Sequence, residues 1–194
     1  MLTERRQNGG QGKVESEAEL LAALRAGDLR AFETAYRCYQ PRLSRFVATI
    51  VRARSSIEEV VNDTLMVLWE KADSFSGGSK LSTWLFAIAY RKAIRAHLRF
   101  DEPVDSDPVA DIPDDDAMPD RDFARARTSK LLQRAIDDLS ADHRAVVHLT
   151  YFQELSYRDI ADIMGCPTDT VKTRMFHARR YLKDKLDGEL ADWI

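Results

Sequence analysis

The stretch YRDIADIMGCPTDTVKTRMFHARRYL, residues 157–182, decides the fold of the C-terminal part of the chain. Apolar side chains recur in it at three- and four-residue steps, which predicts a helix of about residues 156–164, a turn at GCP, and a second helix of about residues 168–186. A helix-turn-helix needs a small residue where its helices cross, a turn residue that tolerates positive φ, and an apolar anchor in the second helix. Ala161, Gly165 and Val171 supply these, so the sequence predicts a helix-turn-helix over residues 157–176.

The second helix of this motif has two different sides. At about 100° per residue, its apolar side is expected to pack on Ile160 and Met164. That side comprises Val171, Met175, Ala178 and Leu182. The opposite side suits a DNA groove, where phosphates attract cations and base edges accept hydrogen bonds. It carries Lys172, Thr173, Phe176, His177 and Arg180.

A basic helix that merely faces water is the simpler alternative. Cations are common near the C-terminal ends of helices because they suit the helix dipole. That explanation covers residues 179–185 but not Lys172 and Thr173, which lie in the first turns, where the dipole disfavours a cation. DNA binding is therefore the favoured interpretation of this helix.

Composition limits what else the chain can be. With 194 residues, 44% of them hydrophobic, it can bury one ordinary core or two small ones. No apolar run reaches the roughly 18 to 20 residues of a membrane helix, and the N-terminal stretch lacks the apolar segment of a signal peptide, so we expect a cytoplasmic protein. Cys38 and Cys166 form no CxxC or Cys/His cluster, so we expect neither a disulfide nor a metal site. We also expect no cofactor.

Charge is concentrated in one segment. Residues 101–120, DEPVDSDPVADIPDDDAMPD, contain nine acids, four of the six prolines and no Lys or Arg. Such a composition predicts a flexible acidic linker, assigned to residues 101–121, rather than a packed element. Without those nine charges, the formal net charge changes from −3 to +6, so the remainder of the chain is basic.

The rest of the chain shows helical periodicity and no alternation typical of strands. Helices are predicted over residues 56–72, with Ser55 or Ser56 as its cap, over 82–99, over 123–139, and over 142–151, capped by Ser140. Pro41 is expected to mark a kink or junction. We therefore predict an all-α protein with two small domains, residues 17–100 and 122–187. Flexible tails are expected at residues 1–16 and 188–194.

A second basic surface is expected in the first domain. Residues 80–100 contain five Lys or Arg and no acid, and Lys92, Arg95 and Arg99 recur at helical steps. Phe75 and Trp84 add aromatic rings, which stack on unpaired bases while cations neutralise phosphates. The alternative for Trp84 is an ordinary core position. An acidic face of Glu58, Glu59 and Asp63 would repel DNA, so it is expected to meet a basic protein surface or water.

Four segments, in this order, resemble the extracytoplasmic-function sigma factors, which are small two-domain specificity subunits of bacterial RNA polymerase. They are AFETAYRCYQPRLSRFV, IEEVVNDTLMVLWEKADSF, STWLFAIAYRKAI and HRAVVHLTYFQELSYRDIADIMGCPTDTVKTRMFHARRYL, and the likeness covers about residues 17–187. The resemblance implies that the first domain is sigma region 2 and the second is sigma region 4. It also implies that the acidic linker threads the polymerase interior.

The resemblance also implies roles for individual residues. Core polymerase would dock on Glu58, Glu59, Asp63 and Trp69. The minus-10 element would be recognised and opened by Phe75, Ser76, Lys80, Ser82, Trp84, Arg91, Lys92 and Arg95. The minus-35 element would be recognised by Lys172, Thr173, Phe176, His177 and Arg180. The implied partners are core RNA polymerase, through its β′ coiled coil and β flap, promoter DNA and an anti-sigma factor.

Two other functions compete with promoter-specific transcription initiation. A dimeric helix-turn-helix regulator would bind duplex DNA without polymerase, but it needs no second basic domain, and no heptad for dimerisation is present. An enzyme is the remaining alternative, yet four scattered histidines and the lack of a glycine-rich phosphate loop or nucleophile motif leave no catalytic site to assemble.

Overall fold

A computed structural model describes residues 16–99 and 131–191, and within these ranges the chain forms helices and no strand. The helices are α1 (Glu17–Arg25), α2 (Leu29–Ala48), α3 (Arg54–Glu70), α4 (Leu81–Arg99), α5 (residues 131–137), α6 (Ala141–Tyr151), α7 (Tyr157–Met164) and α8 (Thr168–Ala191), with a single 3₁₀ turn at Ala72–Ser74. The predicted all-α class is confirmed. The predicted linker, and most of the N-terminal tail, lie outside the described residues.

The first domain is built from α1 to α4. Side chains cap its first two helices, because Ser16 Oγ accepts a hydrogen bond from the Glu19 amide at 3.2 Å and Asp28 Oδ1 accepts one from the Arg30 amide at 2.8 Å. The cap predicted at Ser55 or Ser56 was wrong: α3 begins at Arg54 after Ala53, which makes no side-chain cap. Ser56 instead lies buried on the inner side of α3.

Pro41 lies inside α2, which continues unbroken from Leu29 to Ala48. The predicted junction is therefore absent, although proline supplies no amide to the helix at this point. The inner face of α2 carries Leu43 and Phe46, both fully buried, and the Phe46 ring packs edge-on against Phe86 of α4 at 5.2 Å between centroids. This aromatic pair joins α2 and α4 in the centre of the first domain.

The second domain contains the predicted helix-turn-helix. Ser140 caps α6, as predicted, and Ser156 caps α7 by accepting from the Asp159 amide at 3.2 Å. Gly165 ends α7 with φ of 64°, the left-handed conformation that the turn required. Val171, Met175 and Ala178 of α8 are buried, and so are Ile160 and Met164 of α7, while Leu182 is half-buried.

The two domains contact each other. Helix α4 packs along α7, and α2 touches α6. Helix α8 is longer than predicted and runs to Ala191, into the segment assigned to the C-terminal tail. No helix within the described ranges is long and apolar enough to cross a membrane.

Candidate nucleic-acid and polymerase interfaces

The outer side of α8 presents the five residues predicted to recognise DNA. Lys172, Thr173 and His177 are exposed, Phe176 is 62% exposed, and the Arg180 side chain is 71% exposed. The inner side of the same helix is filled by Val171, Met175 and Ala178. Helix α8 therefore has one side that holds the domain together and one that is open to a ligand.

The cations on this side are only loosely held. Lys172 Nζ lies 2.9 Å from Asp169 Oδ1, and Arg180 Nε lies 3.9 Å from Asp184 Oδ2. Both pairs are largely exposed, so each contributes about 0 to 1 kcal/mol and is screened by salt. Lys172 and Arg180 therefore lose little free energy when they leave these carboxylates to bind DNA phosphates. Thr173 Oγ1 donates to the carbonyl of Asp169 at 2.9 Å, which fixes its orientation on the helix.

An open cleft of about 500 Å³ lies beside the outer side of α8. Its lining includes His177 and Arg180 together with Ser140, His143 and Tyr181. Burial, and then the charges of Arg174 and His177, lower the pKa of His143. The neutral imidazole is therefore favoured, and its Nδ1 lies 2.6 Å from Ser140 Oγ. The sequence pattern indicates Ser140 only as a helix cap, and it contains no signal that would place His143 near His177.

The aromatic pair predicted to meet an unpaired base lies in the loop before α4, which carries Phe75, and in the first turn of α4, which carries Trp84. Phe75 is 4% exposed and its ring lies 5.5 Å from that of Trp84, which is half-buried. Ser76 and Lys80 are exposed, and Ser82 is half-buried. In this conformation the buried Phe75 ring therefore packs against the inner side of Trp84. Direct stacking of Phe75 on a base would require the ring to leave its pocket.

Helix α1 fixes both ends of this loop, and no pattern in the amino-acid sequence predicts these contacts. Arg25 Nη2 donates to the carbonyl of Phe75 at 2.8 Å, and its Nε donates to the carbonyl of Ala72 at 3.4 Å. Glu17 Oε1 accepts from the amide of Leu81 at 2.6 Å and so satisfies one of the first amides of α4. These contacts join residues 47 to 64 positions apart, beyond the reach of any local pattern.

The cations of α4 differ in their surroundings. Arg91 and Arg95 are exposed, whereas Lys92 is half-buried and its Nζ lies 2.7 Å from Asp63 Oδ2 of α3. Because residues 91 and 95 are four apart, they lie on one side of the helix. The structure thus places Arg91 and Arg95 together on the outer surface and turns Lys92 toward α3.

The acidic face of α3 is exposed, as an interface with a basic partner requires. Glu58 and Glu59 are exposed, and Glu58 pairs with Arg54 at 3.1 Å. Trp69 is half-buried, and its ring lies 5.2 Å from that of Phe32 on α2. Met66 is 45% exposed on the same helix, seven residues after Glu59. This apolar contribution was not predicted, because a single methionine gives no signal in the periodicity.

Comparison with known proteins identifies the family. The family models for sigma-70 region 2 and sigma-70 region 4 match residues 35–101 and 129–182. The RNA polymerase sigma-H factor of Pseudomonas aeruginosa is 30% identical over 189 residues, which is 92% of this chain and 97% of that protein. The chain is an extracytoplasmic-function sigma factor.

Other relatives agree with this sigma-factor assignment. The ECF RNA polymerase sigma-E factor of Haemophilus influenzae is 27% identical over 183 residues, 88% of this chain and 95% of that one. The sigma factor RpoE of Bartonella quintana, solved in complex with the anti-sigma factor NepR, is 31% identical with a TM-score of 0.58, over 80% of this chain and 96% of that one. The predicted family, and its function in promoter-specific transcription initiation, are thus confirmed.

The two matched regions divide the candidate residues of this sigma factor. Region 2 contains the acidic face of α3, the loop after it and the basic residues of α4. Region 4 contains α6, α7 and the outer side of α8 up to residue 182. Within the described residues, no cluster of three or more His, Cys, Asp or Glu side chains could hold a metal ion.

Proposed function

We propose that the sigma factor uses three separate surfaces of the described helices. Glu58, Glu59, Asp63 and Trp69 bind core polymerase through its β′ coiled coil. The minus-10 element is bound by the loop and helix that carry Phe75, Ser76, Lys80, Ser82, Trp84, Arg91, Lys92 and Arg95. The minus-35 element is bound by Lys172, Thr173, Phe176, His177 and Arg180, and the β flap of core polymerase holds region 4.

One observation carries the proposal for region 4. Phe176 and Arg180 project from α8 while Val171, Met175 and Ala178 hold the helix in its domain. A helix fixed on one side and exposing an aromatic ring and a guanidinium on the other is suited to the major groove of duplex DNA. We further propose that the protein acts in the cytoplasm, catalyses no reaction itself, and is controlled by an anti-sigma factor.

The test is reconstitution with purified core polymerase and a library of promoter fragments. Discrete run-off transcripts that depend on the added protein are expected. A dimeric regulator that acts without polymerase would give none. The docking surface is tested in the same assay with Glu58→Lys and Glu59→Lys together, which should abolish association with core polymerase.

A matched control makes the same change of net charge at a different part of the surface. Glu19 and Asp187 are exposed on α1 and α8, so Glu19→Lys and Asp187→Lys together alter the net charge equally on helices other than α3. The control should bind core polymerase as well as the original chain does. If both double variants lose association alike, net charge rather than the face of α3 governs docking. If neither does, the docking assignment is wrong.

A further inference from the structure

The middle of α4 is enclosed on every side. Residues 85–90 are all buried, from Leu85 and Phe86 at 0% exposure to Ala87 at 9%. Successive residues of a helix point about 100° apart, so six consecutive buried residues cover its whole circumference. Helices α2 and α3 of region 2 cover part of this surface, and α7 of region 4 covers another part. Region 4 therefore supplies one wall around a helix of region 2.

A polar contact joins three helices at this boundary. The Tyr90 hydroxyl of α4 donates a hydrogen bond to Asp142 Oδ1 of α6 at 2.7 Å, and the Arg174 guanidinium of α8 pairs with Oδ2 of the same carboxylate. The Arg174 and Asp142 side chains are 25% and 33% exposed, so this pair is better shielded than the exposed pairs of α8. We call these three residues the latch.

The protonation state of Tyr90 suits this arrangement. Burial, and then the hydrogen bond to Asp142, raise the pKa of the Tyr90 hydroxyl above its usual range. The hydroxyl therefore keeps the proton that it donates. The two carboxylate oxygens of Asp142 thus bind a neutral donor of region 2, Tyr90, and a cationic donor of region 4, Arg174.

A second set of contacts crosses the boundary at the end of α2. Arg42 donates from Nε and Nη2 to Gln153 Oε1 at 3.0 and 2.8 Å. The Arg144 guanidinium of α6 donates to the carbonyl of Thr49, just after α2. Between these contacts the rings of Phe46 and His148 lie 5.7 Å apart. The two regions are therefore joined at several points and not by the latch alone.

This arrangement conflicts with simultaneous binding of both promoter elements. Elements centred near minus 10 and minus 35 lie about 25 base pairs apart, two and a half turns of duplex, or about 85 Å. Packed helices lie only about 8 to 10 Å apart, and α4 packs on α7, which packs on α8. The 31 residues between 99 and 131 can span about 100 Å when extended, so the chain is long enough for the two regions to separate.

We infer that the latch of Tyr90, Asp142 and Arg174, together with the contacts of Arg42 and Arg144, holds regions 2 and 4 in a closed form that cannot bind both promoter elements at once. The inference rests on the proposed minus-10 and minus-35 roles of the two regions. In the closed form the outer side of α8, which carries the proposed minus-35 residues, stays exposed, since Phe176 and Arg180 lie outside the boundary. The latch therefore controls joint binding of the two elements, and not binding of a minus-35 duplex alone.

The first test measures the separation of the two regions in the full chain. Donor and acceptor dyes are attached at Cys38, which is exposed on α2, and at Lys183→Cys on α8, with Cys166→Ser in every sample to restrict labelling. Tyr90→Phe removes only the hydroxyl, and Asp142→Asn weakens both contacts of the carboxylate. Each should lower the ratio of closed to open molecules about three- to tenfold, as expected for one lost hydrogen bond. Tyr36→Phe, on an exposed tyrosine, should change nothing.

The inference is wrong if the transfer efficiency of Tyr90→Phe and Asp142→Asn equals that of Tyr36→Phe. It is also wrong if the original sequence already shows the long separation. Circular dichroism of each variant separates opening from unfolding, because opening leaves helix content unchanged.

The second test locks the boundary covalently. Arg42→Cys and Gln153→Cys, in a chain with Cys38→Ser and Cys166→Ser, are joined by a bis-maleimide that contains a reducible spacer. The joined protein should give no run-off transcript with core polymerase, bind a minus-35 duplex as before, and recover transcription after reduction. Full transcription by the joined protein would overturn the inference. Failure of the unjoined protein to transcribe would instead contradict the proposed function.

Discussion

The Lys92 ammonium lies 2.7 Å from Oδ2 of Asp63 and so links α4 to α3 where two proposed surfaces meet. Lys92 belongs to the proposed minus-10 surface and Asp63 to the proposed polymerase surface. The side chains are 30% and 55% exposed, so the pair is partly screened and contributes about 0 to 1 kcal/mol to folding. The pair nevertheless neutralises one of the cations counted toward DNA binding.

Removal of Lys92 should therefore affect DNA binding less than removal of a neighbouring exposed arginine. Each cation that neutralises a phosphate adds about 0.7 to 0.9 to the slope of log affinity against log salt concentration. Arg95→Ala should lower the slope of the reconstituted holoenzyme by about that amount, and Lys92→Ala by less than half as much. The slopes are measured by fluorescence anisotropy on a promoter fragment over a series of salt concentrations. Equal losses would show that Lys92 leaves Asp63 when DNA binds.

The helix-turn-helix was predictable because its determinants are local. The position of Gly165 in the left-handed region and the burial of Val171 follow from steric requirements within some ten residues. The cap at Ser140 is local in the same way, since Oγ reaches an amide three residues ahead. Ser56 shows the limit of such arguments: it has a good capping side chain, yet the packing of α3 buries it and starts the helix earlier.

Contacts between distant residues were not predictable from one sequence. Arg25 is an ordinary exposed helix residue in the pattern, but it holds the carbonyl of Phe75, 50 positions away. The helical pattern of residues 82–99 likewise gives no sign that the Tyr90 hydroxyl bonds Asp142 of the other region. Periodicity shows which side of a helix is apolar, and it does not show which second element covers that side.

Gly165 should be sensitive to substitution for a reason specific to its backbone. Its φ is 64°, and a Cβ added there would meet no atom within 4 Å, so strain in the backbone, not a clash, determines the cost. Gly165→Ala should lower the free energy of unfolding by about 1 to 2 kcal/mol. Gly78→Ala is the matched control, because Gly78 has no positive φ and its Cβ would only touch Ser76 Oγ at 3.6 Å. Urea unfolding gives the free energy of unfolding of both variants. Equal values would refute the assigned turn geometry.

His148 should make the stability of the fold depend on pH. Burial, and then the charge of Arg45, lower the pKa of this imidazole from 6.5 to about 4. Above pH 6.5 the group is neutral in both states. As the pH falls from 6.5 to 4, the unfolded chain takes up a proton that the folded chain does not, so stability is lost in this window, up to about 3 kcal/mol.

His148→Leu removes this titration. The unfolding free energy should then fall less steeply between pH 6.5 and 4, and the difference in slope should correspond to the uptake of up to one proton on unfolding. His97→Gln is the control, because His97 lies half-buried on the last turn of α4 rather than between two aromatic rings. Urea unfolding at several pH values gives the proton uptake of each variant. An unchanged profile in His148→Leu would mean that folding does not lower the pKa of His148.

Two adjacent arginines of α8 should differ in what they contribute to the minus-35 element. The Arg180 side chain is 71% exposed beside Phe176, whereas Arg179 donates from Nε to the Tyr151 hydroxyl at 3.0 Å and lies over the Tyr151 ring. Arg180→Ala should weaken binding to the preferred minus-35 duplex by about 1 to 3 kcal/mol and relax the preference at one base position, because a guanidinium hydrogen-bonds a base edge specifically. Arg179→Ala removes the same charge about 100° further round the helix and should weaken all duplexes slightly and alike. Affinities are compared over a set of duplexes that vary one base pair at a time. A uniform loss for Arg180→Ala would assign that residue to the phosphate backbone and remove it from base recognition.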